Sequence, residues 1–327
     1  MRRGIYLALA AISLMLIASA CSSGGTDDNE RVRVVTSFPL LAEFAGRVGG
    51  EDATVSSIVP LGVDEHSYTP STSSAREITE ADLLLVNGYG LEQGLLPLIT
   101  NNAREGVPVI PVARGLAPLE ADEHDHDHDG DGEQDHAAED HVDEVPVGLD
   151  PLIFAEGDPH FWLDVANAIA YVNTIRDALI QVDAAHEGGY TERAAAFVTE
   201  LQALDAEVHD LTASIPAGAR RIVVFHDAFE YFAHAYDFEV FESVAPANPN
   251  QAASAQEVAN IIRSVREAGV PALYAEPQFS AQTLEAIAAE TGTRVLTLYS
   301  IPAEDAKTYA EMMRANARAL AEGLGGG

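Results

Sequence analysis

Eight short runs of apolar, largely β-branched residues recur along the chain and alternate with stretches that have helical spacing. Four runs lie in the first third of the chain and four follow Pro216: 32–35, 55–59, 83–86, 107–112, 222–225, 240–241, 273–274 and 295–298. Strands that alternate with helices of this length build parallel sheets from βα units. The pattern predicts an α/β protein with two lobes, each with a parallel sheet flanked by helices. Pro108 and Pro111 place the fourth run at a sheet edge, because proline cannot donate to the ladder.

The region between the two blocks has a different pattern. No proline occurs from residue 161 to 215, and apolar residues step by three and four in two series separated by Gly188 and Gly189. The series are Val165, Ile169, Val172, Ile175, Leu179 and Val182, then Phe197, Leu201, Leu204, Val208 and Leu211. We predict two long helices and assign residues 161–184 to the one that bridges an N-terminal lobe (31–160) and a C-terminal lobe (185–327).

The N-terminus is typical of an export signal. Arg2 and Arg3 precede an apolar stretch at 5–17, and small residues follow at 18–20, immediately before Cys21. This stretch is shorter than the roughly 20 residues of a membrane-spanning helix, although a transmembrane anchor and a twin-arginine signal remain alternatives. Ala-Ser-Ala-Cys resembles a bacterial lipobox, with alanine at position 18 where leucine is usual. We predict a signal peptide at 1–20, a lipidated Cys21, a polar linker at 21–30, and anchoring at the outer face of the cytoplasmic membrane.

The chain is strongly acidic, with 52 Asp and Glu against 18 Lys and Arg. This balance argues against a nucleic-acid partner and favours a cationic ligand or solubility alone. Residues 120–144 carry no Lys or Arg and almost no apolar residue, so they predict a disordered loop. Five histidines among its carboxylates predict auxiliary metal binding: His124, His126, His128, His136 and His141.

Three other histidines lie beside predicted elements. His66 follows the second strand, His160 precedes the long helical region, and His226 follows the fifth strand directly. Ligands of open α/β sheets gather outside the carboxyl ends of strands. Neutral imidazole suits Zn²⁺, and three imidazoles leave one position for a carboxylate or water. A lone histidine more often has a surface role, which we assign to the three remaining ones: His186, His209 and His234.

Four motifs surround these histidines and Glu276. They are Gly-Val-Asp-Glu-His-Ser-Tyr at 62–68, Asp-Pro-His-Phe-Trp-Leu-Asp at 158–164, Val-Phe-His-Asp-Ala-Phe-Glu-Tyr-Phe at 224–232 and Tyr-Ala-Glu-Pro-Gln-Phe at 274–279. In order and spacing they resemble the metal-specific solute-binding proteins of bacterial ABC importers (cluster A-I). The acidic histidine-rich loop resembles that of the zinc members, the ZnuA type. The resemblance covers residues 32–324.

The resemblance implies two lobes joined by one long rigid helix, with metal held between them by His66, His160 and His226. Glu65 stands where zinc members supply a carboxylate, although a solvated loop carboxylate is the alternative, since adjacent side chains on extended backbone point apart. Glu276 matches a family position near the site, where we favour contact with a metal-binding side chain or a structural role, with direct ligation as the alternative. A monomer that works with an ABC permease and its ATPase is the implied assembly.

The chain departs from the family at Tyr299. A late-strand aspartate, which ligates the metal in manganese members, is replaced by this tyrosine, and we expect nearby Asp305 to be a solvated charge. Three imidazoles with at most one carboxylate favour Zn²⁺ over Mn²⁺, whose preferred sites are richer in oxygen. We therefore predict a non-enzymatic zinc receptor. The alternatives are a manganese receptor, a zinc-buffering or adhesin-like surface lipoprotein, and a zinc hydrolase, against which the chain has no His-Glu-x-x-His motif.

Overall fold

The computed structural model describes residues 31–119, 149–245 and 254–325. The predicted signal peptide, Cys21 and the linker lie outside these residues, as does the histidine-rich segment 120–144, so these predictions remain untested. Residues Val32–Gly327 form one compact unit, to which every element below belongs. Among the described helices, none combines the length and the apolar character that crossing a membrane requires.

The first sheet contains the four strands predicted in the first third of the chain. They are β1 (Val32–Thr36), β2 (Ala53–Ser57), β3 (Leu83–Val86) and β4 (Val109–Pro111), all parallel, in the order β2-β1-β3-β4. The proline-containing β4 lies at an edge, as predicted. Three helices connect or flank these strands: α1 (Pro39–Gly49), α2 (Thr72–Glu80) and α3 (Leu96–Asn102). We call this half the first lobe.

The second lobe repeats the same arrangement. Its parallel strands are β5 (Arg221–Val224), β6 (Glu239–Ser243), β7 (Ala272–Ala275) and β8 (Arg294–Thr297), in the order β6-β5-β7-β8. The helices are α6 (Glu230–Ala235), α7 (Ala255–Ala268), α8 (Gln282–Thr291) and α9 (Tyr309–Leu324). The predicted α/β class with two parallel sheets flanked by helices is therefore confirmed.

Two long helices lie between the sheets, as the apolar periodicity predicts. They are α4 (Val165–Val182) and α5 (Glu187–Thr212), with a 3-10 turn at Ala184–His186 between them. The shorter α4 packs on α1 and β3 of the first lobe, whereas α5 contacts both α1 and α9. Arg193 near the start of α5 donates to Val48 O and Gly49 O, and Glu207 near its end pairs with Arg314 of α9 at 2.7 Å.

The contacts of α5 with α1 and α9 connect the two lobes, and the assignment of the bridge to residues 161–184 remains a prediction. The lobe boundaries themselves remain a prediction.

Buried hydrogen bonds join the two lobes beside the start of α4. The indole Nε1 of Trp162 donates to Ser300 O at 2.6 Å, and the Tyr309 hydroxyl donates to Trp162 O at 2.7 Å. The Tyr309 backbone N–H donates to Glu43 Oε2 of α1 at 2.7 Å. Burial raises the pKa of Glu43, an effect that this hydrogen bond opposes. One apolar core runs through this junction and includes residues of both lobes.

Candidate metal centre

His66 lies in the loop that follows β2, and Asp64 fixes the local backbone. One Asp64 carboxylate oxygen accepts from His66 N at 3.2 Å, and the other accepts from the Ser67 hydroxyl. A short aspartate side chain that caps the backbone two residues later is a common way to set a turn. This turn presents the half-buried His66 ring to the space between the lobes.

His160 immediately precedes the 3-10 turn at Phe161–Leu163, and Asp158 orients its ring. Asp158 Oδ1 lies 2.9 Å from the His160 backbone N and 2.6 Å from its ring Nδ1. The ring is buried, and its centroid lies 5.3 Å from that of Trp162. With Nδ1 occupied by a carboxylate, Nε2 is the atom left to bind a ligand.

His226 comes two residues after β5, and Glu276 comes directly after β7, the strand that pairs with β5. Because the carboxyl ends of neighbouring parallel strands meet at one sheet edge, the two residues contact each other. His226 Nδ1 lies 3.2 Å from both carboxylate oxygens of Glu276. Both side chains are buried, and this contact again leaves Nε2 for a ligand.

The three histidines converge. One ring nitrogen of each lies within 4.8 Å of those of the other two, and His66 Nε2 is 3.3 Å from His160 Nε2. Two nitrogens that bind the same tetrahedral zinc ion at 2.0–2.1 Å lie about 3.3 Å from each other. The structure therefore brings His66, His160 and His226 into the spacing of a shared metal ion. Among the residues that the structure describes, these three histidines form the group of His, Cys, Asp or Glu side chains whose ligand atoms all lie within 4.8 Å of one another.

Two of the three imidazoles have shifted pKa values. Burial lowers the pKa of His66 well below its ordinary value, and His160 and His226 lower it further. Burial also lowers the pKa of His226, but Glu276 and other carboxylates outweigh it and raise this pKa overall. His66 thus stays neutral, the form that binds metal, through the physiological pH range.

Glu65 is buried beside the site but does not join the histidine group. Burial raises its pKa to about 8, the charges of Asp64 and Glu276 raise it as well, and His226 opposes them. Among the described residues, the ligand atoms that lie within 4.8 Å of one another belong to the three histidines and do not include a Glu65 oxygen. Direct ligation by Glu65 therefore remains a prediction.

Glu276 contacts a histidine of the group, as its predicted position implies. Besides His226, it accepts from the Ser300 hydroxyl at 2.5 Å and from Gln278 Nε2 at 3.1 Å. These donors bind a carboxylate whose side chain is fully buried. Its arrangement is that of a carboxylate that orients a metal-binding histidine.

Tyr299 forms its hydrogen bonds with residues outside the histidine group. Its hydroxyl donates to Asp305 Oδ2 at 2.8 Å, and its backbone N–H donates to Asn316 Oδ1 at 2.8 Å. Burial raises the pKa of Tyr299 to about 12, and the hydrogen bond to Asp305 acts in the same direction. Asp305 is exposed, as expected of a solvated charge, but it also holds the tyrosine.

Some functional residues were not predicted from the sequence. Asp158 orients His160 and stands in the same short motif, which is a signal that was available. Trp162 and Ser300 form their hydrogen bond across 138 positions, and no local pattern indicates it. The remaining described histidines lie outside the group, as predicted: His186, His209 and His234.

Comparisons with known proteins show the family to which the chain belongs. The family model described as "Zinc-uptake complex component A periplasmic" matches residues 34–323. The manganese-binding lipoprotein MntA of Halalkalibacterium halodurans is 29% identical, with 95% of each chain covered. The iron-binding protein YfeA of Yersinia pestis is 28% identical over 98% of this chain and 95% of its own. A crystal structure of ZnuA superposes with a TM-score of 0.72 at 26% identity, covering 90% of this chain and 99% of that one. The chain belongs to the ZnuA family, the metal-binding receptors of ABC importers.

Proposed function

We propose that the protein binds Zn²⁺ between its two lobes and delivers it to a membrane permease driven by an ATPase. The observation that carries the choice of metal is the donor set, in which three imidazoles meet and no carboxylate joins them among the described residues. Imidazole nitrogen suits zinc, whereas manganese prefers oxygen ligands. Glu65 or a water molecule completes the coordination.

Manganese is the second candidate, and a specific observation favours it. Relatives that match nearly the whole chain include a manganese-binding lipoprotein and an iron-binding protein. Identity below 30% leaves room for a different ligand set, and Tyr299, bound to Asp305, supplies no carboxylate at the late strand. Titrating both metals in parallel decides between the candidates.

The test is a chelator-competition titration of metal-free protein produced without residues 1–21. We expect tight zinc binding, far weaker manganese binding, and a large loss of zinc affinity in His226→Ala. His209→Ala is the matched control, because His209 is a histidine outside the group and its ring packs on Tyr236 at 4.8 Å. Zinc binding that His226→Ala leaves intact would refute the site. Manganese binding tighter than zinc binding would refute the metal.

The receptor role also distinguishes the protein from a zinc hydrolase. Three imidazoles and a water molecule describe catalytic zinc as well. The family consists of transport receptors, and two of the three imidazoles are buried. We expect zinc-loaded protein to show no turnover of ester, phosphate or peptide substrates, and turnover abolished by His226→Ala would contradict the receptor.

The histidine-rich segment supplies auxiliary and weaker sites in this proposal. The composition predicts that zinc must order these ligands on binding, at a cost of about 1–2 kcal/mol for each residue fixed, so this zinc should exchange readily. Deleting residues 120–144 should leave one tight site and remove the weak ones. Loss of all tight binding would favour a zinc-buffering or adhesin-like lipoprotein.

Export and attachment complete the proposal. The chain acts outside the cytoplasm as a monomer, is held to the membrane by a lipid on Cys21, and has no nucleic-acid partner. Cys21→Ser should release the protein from washed membranes into the soluble fraction. Retention in the membrane would contradict the lipid anchor.

A further inference from the structure

Ser300 is hydrogen-bonded to the two chain segments that carry His160 and His226. Its backbone carbonyl accepts from Trp162 Nε1 at 2.6 Å, and Trp162 stands two residues after His160. Its hydroxyl donates to Glu276 Oε2 at 2.5 Å, and Glu276 contacts His226 Nδ1. Ser300 is 1% exposed, so neither bond is shared with bulk solvent.

The Ser300 hydroxyl supplies one of the hydrogen-bond donors that the buried Glu276 carboxylate requires. A buried carboxylate requires donors, and Glu276 has three side-chain donors: His226, Ser300 and Gln278. Gln278 Nε2 also donates to Ser300 Oγ at 2.8 Å, which directs the serine proton toward the carboxylate. The serine thus fixes the carboxylate where both oxygens lie 3.2 Å from the histidine nitrogen.

This position of Glu276 decides which nitrogen of His226 is available for metal. A carboxylate at Nδ1 holds the proton there and leaves the Nε2 lone pair free. The residue before Ser300, Tyr299, is bound to Asp305. The segment after β8 therefore acts on the metal site through the serine hydroxyl and Glu276.

We propose that Ser300 is a positioning residue of the metal site, which holds Glu276 against His226 and ties that pair to the segment carrying His160. The proposal rests on the proposed zinc site. It adds a residue that contacts no metal yet sets the affinity.

The test compares the zinc affinities of Ser300→Ala, Glu276→Gln and the double variant in the otherwise unchanged chain. Loss of a partner that orients a ligand typically lowers metal affinity about 10- to 100-fold, which we expect for Glu276→Gln. Ser300 acts one bond further out, so we expect a loss of about 3- to 10-fold for Ser300→Ala. Because the serine acts through Glu276, the double variant should bind zinc as Glu276→Gln does.

The matched control is Ser37→Ala. Ser37 is also buried and donates to a buried carboxylate, Glu92 Oε1, at 2.8 Å. Among the described residues, neither partner hydrogen-bonds to the three histidines or to Glu276. This control should lose thermal stability without losing zinc affinity. The visible absorption of the Co²⁺-loaded protein should change in Ser300→Ala and stay unchanged in the control.

Conservative variants keep the test decisive if Ser300→Ala does not fold. Ser300→Thr retains the hydroxyl and should restore affinity, whereas Ser300→Cys replaces it with a weak donor and should not. The role of Ser300 would be overturned if Ser300→Ala or Ser300→Cys kept the zinc affinity of the parent while His226→Ala abolished tight binding. It would also be overturned if the loss in the double variant equalled the sum of the losses in Ser300→Ala and Glu276→Gln. Tight binding that survives His226→Ala would overturn the zinc site itself.

Discussion

Replacing Trp162 by phenylalanine tests how strongly the two lobes are joined beside the metal site. The indole is fully buried, and its N–H donates to Ser300 O of the second lobe at 2.6 Å. Its ring centroid lies 5.0 Å from that of Phe38 and 5.3 Å from that of His160. Phenylalanine keeps an aromatic ring at this position but removes the donor and part of the ring.

The expected loss of stability follows from these contacts. Leaving the buried Ser300 carbonyl without its donor costs about 1–3 kcal/mol. The smaller ring leaves a partial cavity, which costs about 1 kcal/mol more, well below the full truncation of a tryptophan to alanine. The free energy of unfolding should therefore fall by about 2–4 kcal/mol. For a chain of this size the melting temperature should fall by roughly 3–6 °C.

The assay is thermal and urea unfolding of the metal-free protein, followed by far-UV circular dichroism. Fluorescence is unsuitable because Trp162 is the only tryptophan in the chain. Phe38→Leu is the matched control, since it replaces a ring of the same cluster by a smaller apolar side chain and removes no hydrogen bond. A loss below about 1 kcal/mol in Trp162→Phe, or a loss no larger than that of the control, would refute the junction as a stabilising contact.

Three further predictions concern the metal. Zinc should change the fluorescence of Trp162, because its ring lies 5.3 Å from that of His160, and a spectrum that does not respond to zinc would contradict binding there. Zinc at 100 times its Kd should stabilise the fold by about 2.7 kcal/mol in the parent and in His209→Ala but not in His226→Ala, as measured by the melting temperature. Zinc affinity should fall as the pH drops through the neutral range, because the raised pKa of His226 lets protons compete first for that imidazole while His66 stays neutral, and an affinity unchanged between about pH 8 and pH 5 would exclude His226 as a ligand.

The strands were predictable because their signal is local. The central parallel strands are buried on both faces and therefore form continuous apolar runs, as in 83–86, where all four residues are buried. The edge position of β4 followed from its prolines in the same way. Apolar periodicity predicts both α4 and α5, but only tertiary packing shows that α5 contacts both α1 and α9.

The metal site was also predictable only where local sequence and sheet topology determine the position of a residue. Histidines at the ends of predicted strands could be proposed as ligands, because the carboxyl edge of a parallel sheet is set by topology. The direction of the Tyr299 side chain and the role of Ser300 could not, since their partners are chosen by the packing of loops. Ligation by Glu65, which is next to His66 in sequence, stays a prediction, because the group of ligand atoms within 4.8 Å among the described residues contains only the three histidines.

In the proposed site, the distribution of the three histidines over the two lobes would allow a bound ion to be released. His66 and His160 belong to segments of the first lobe, since Pro159 O accepts from Asn87 Nδ2 at the end of β3, while His226 follows β5 of the second. Zinc–nitrogen bonds tolerate deviations of only about 0.2 Å, so a displacement of His226 by roughly 1 Å is enough to remove one of three imidazoles. The buried junction at Trp162 and Tyr309 opposes a wide opening of the lobes. We therefore expect release to require a small shift of the loops that carry the histidines, with the junction intact, rather than a separation of the lobes.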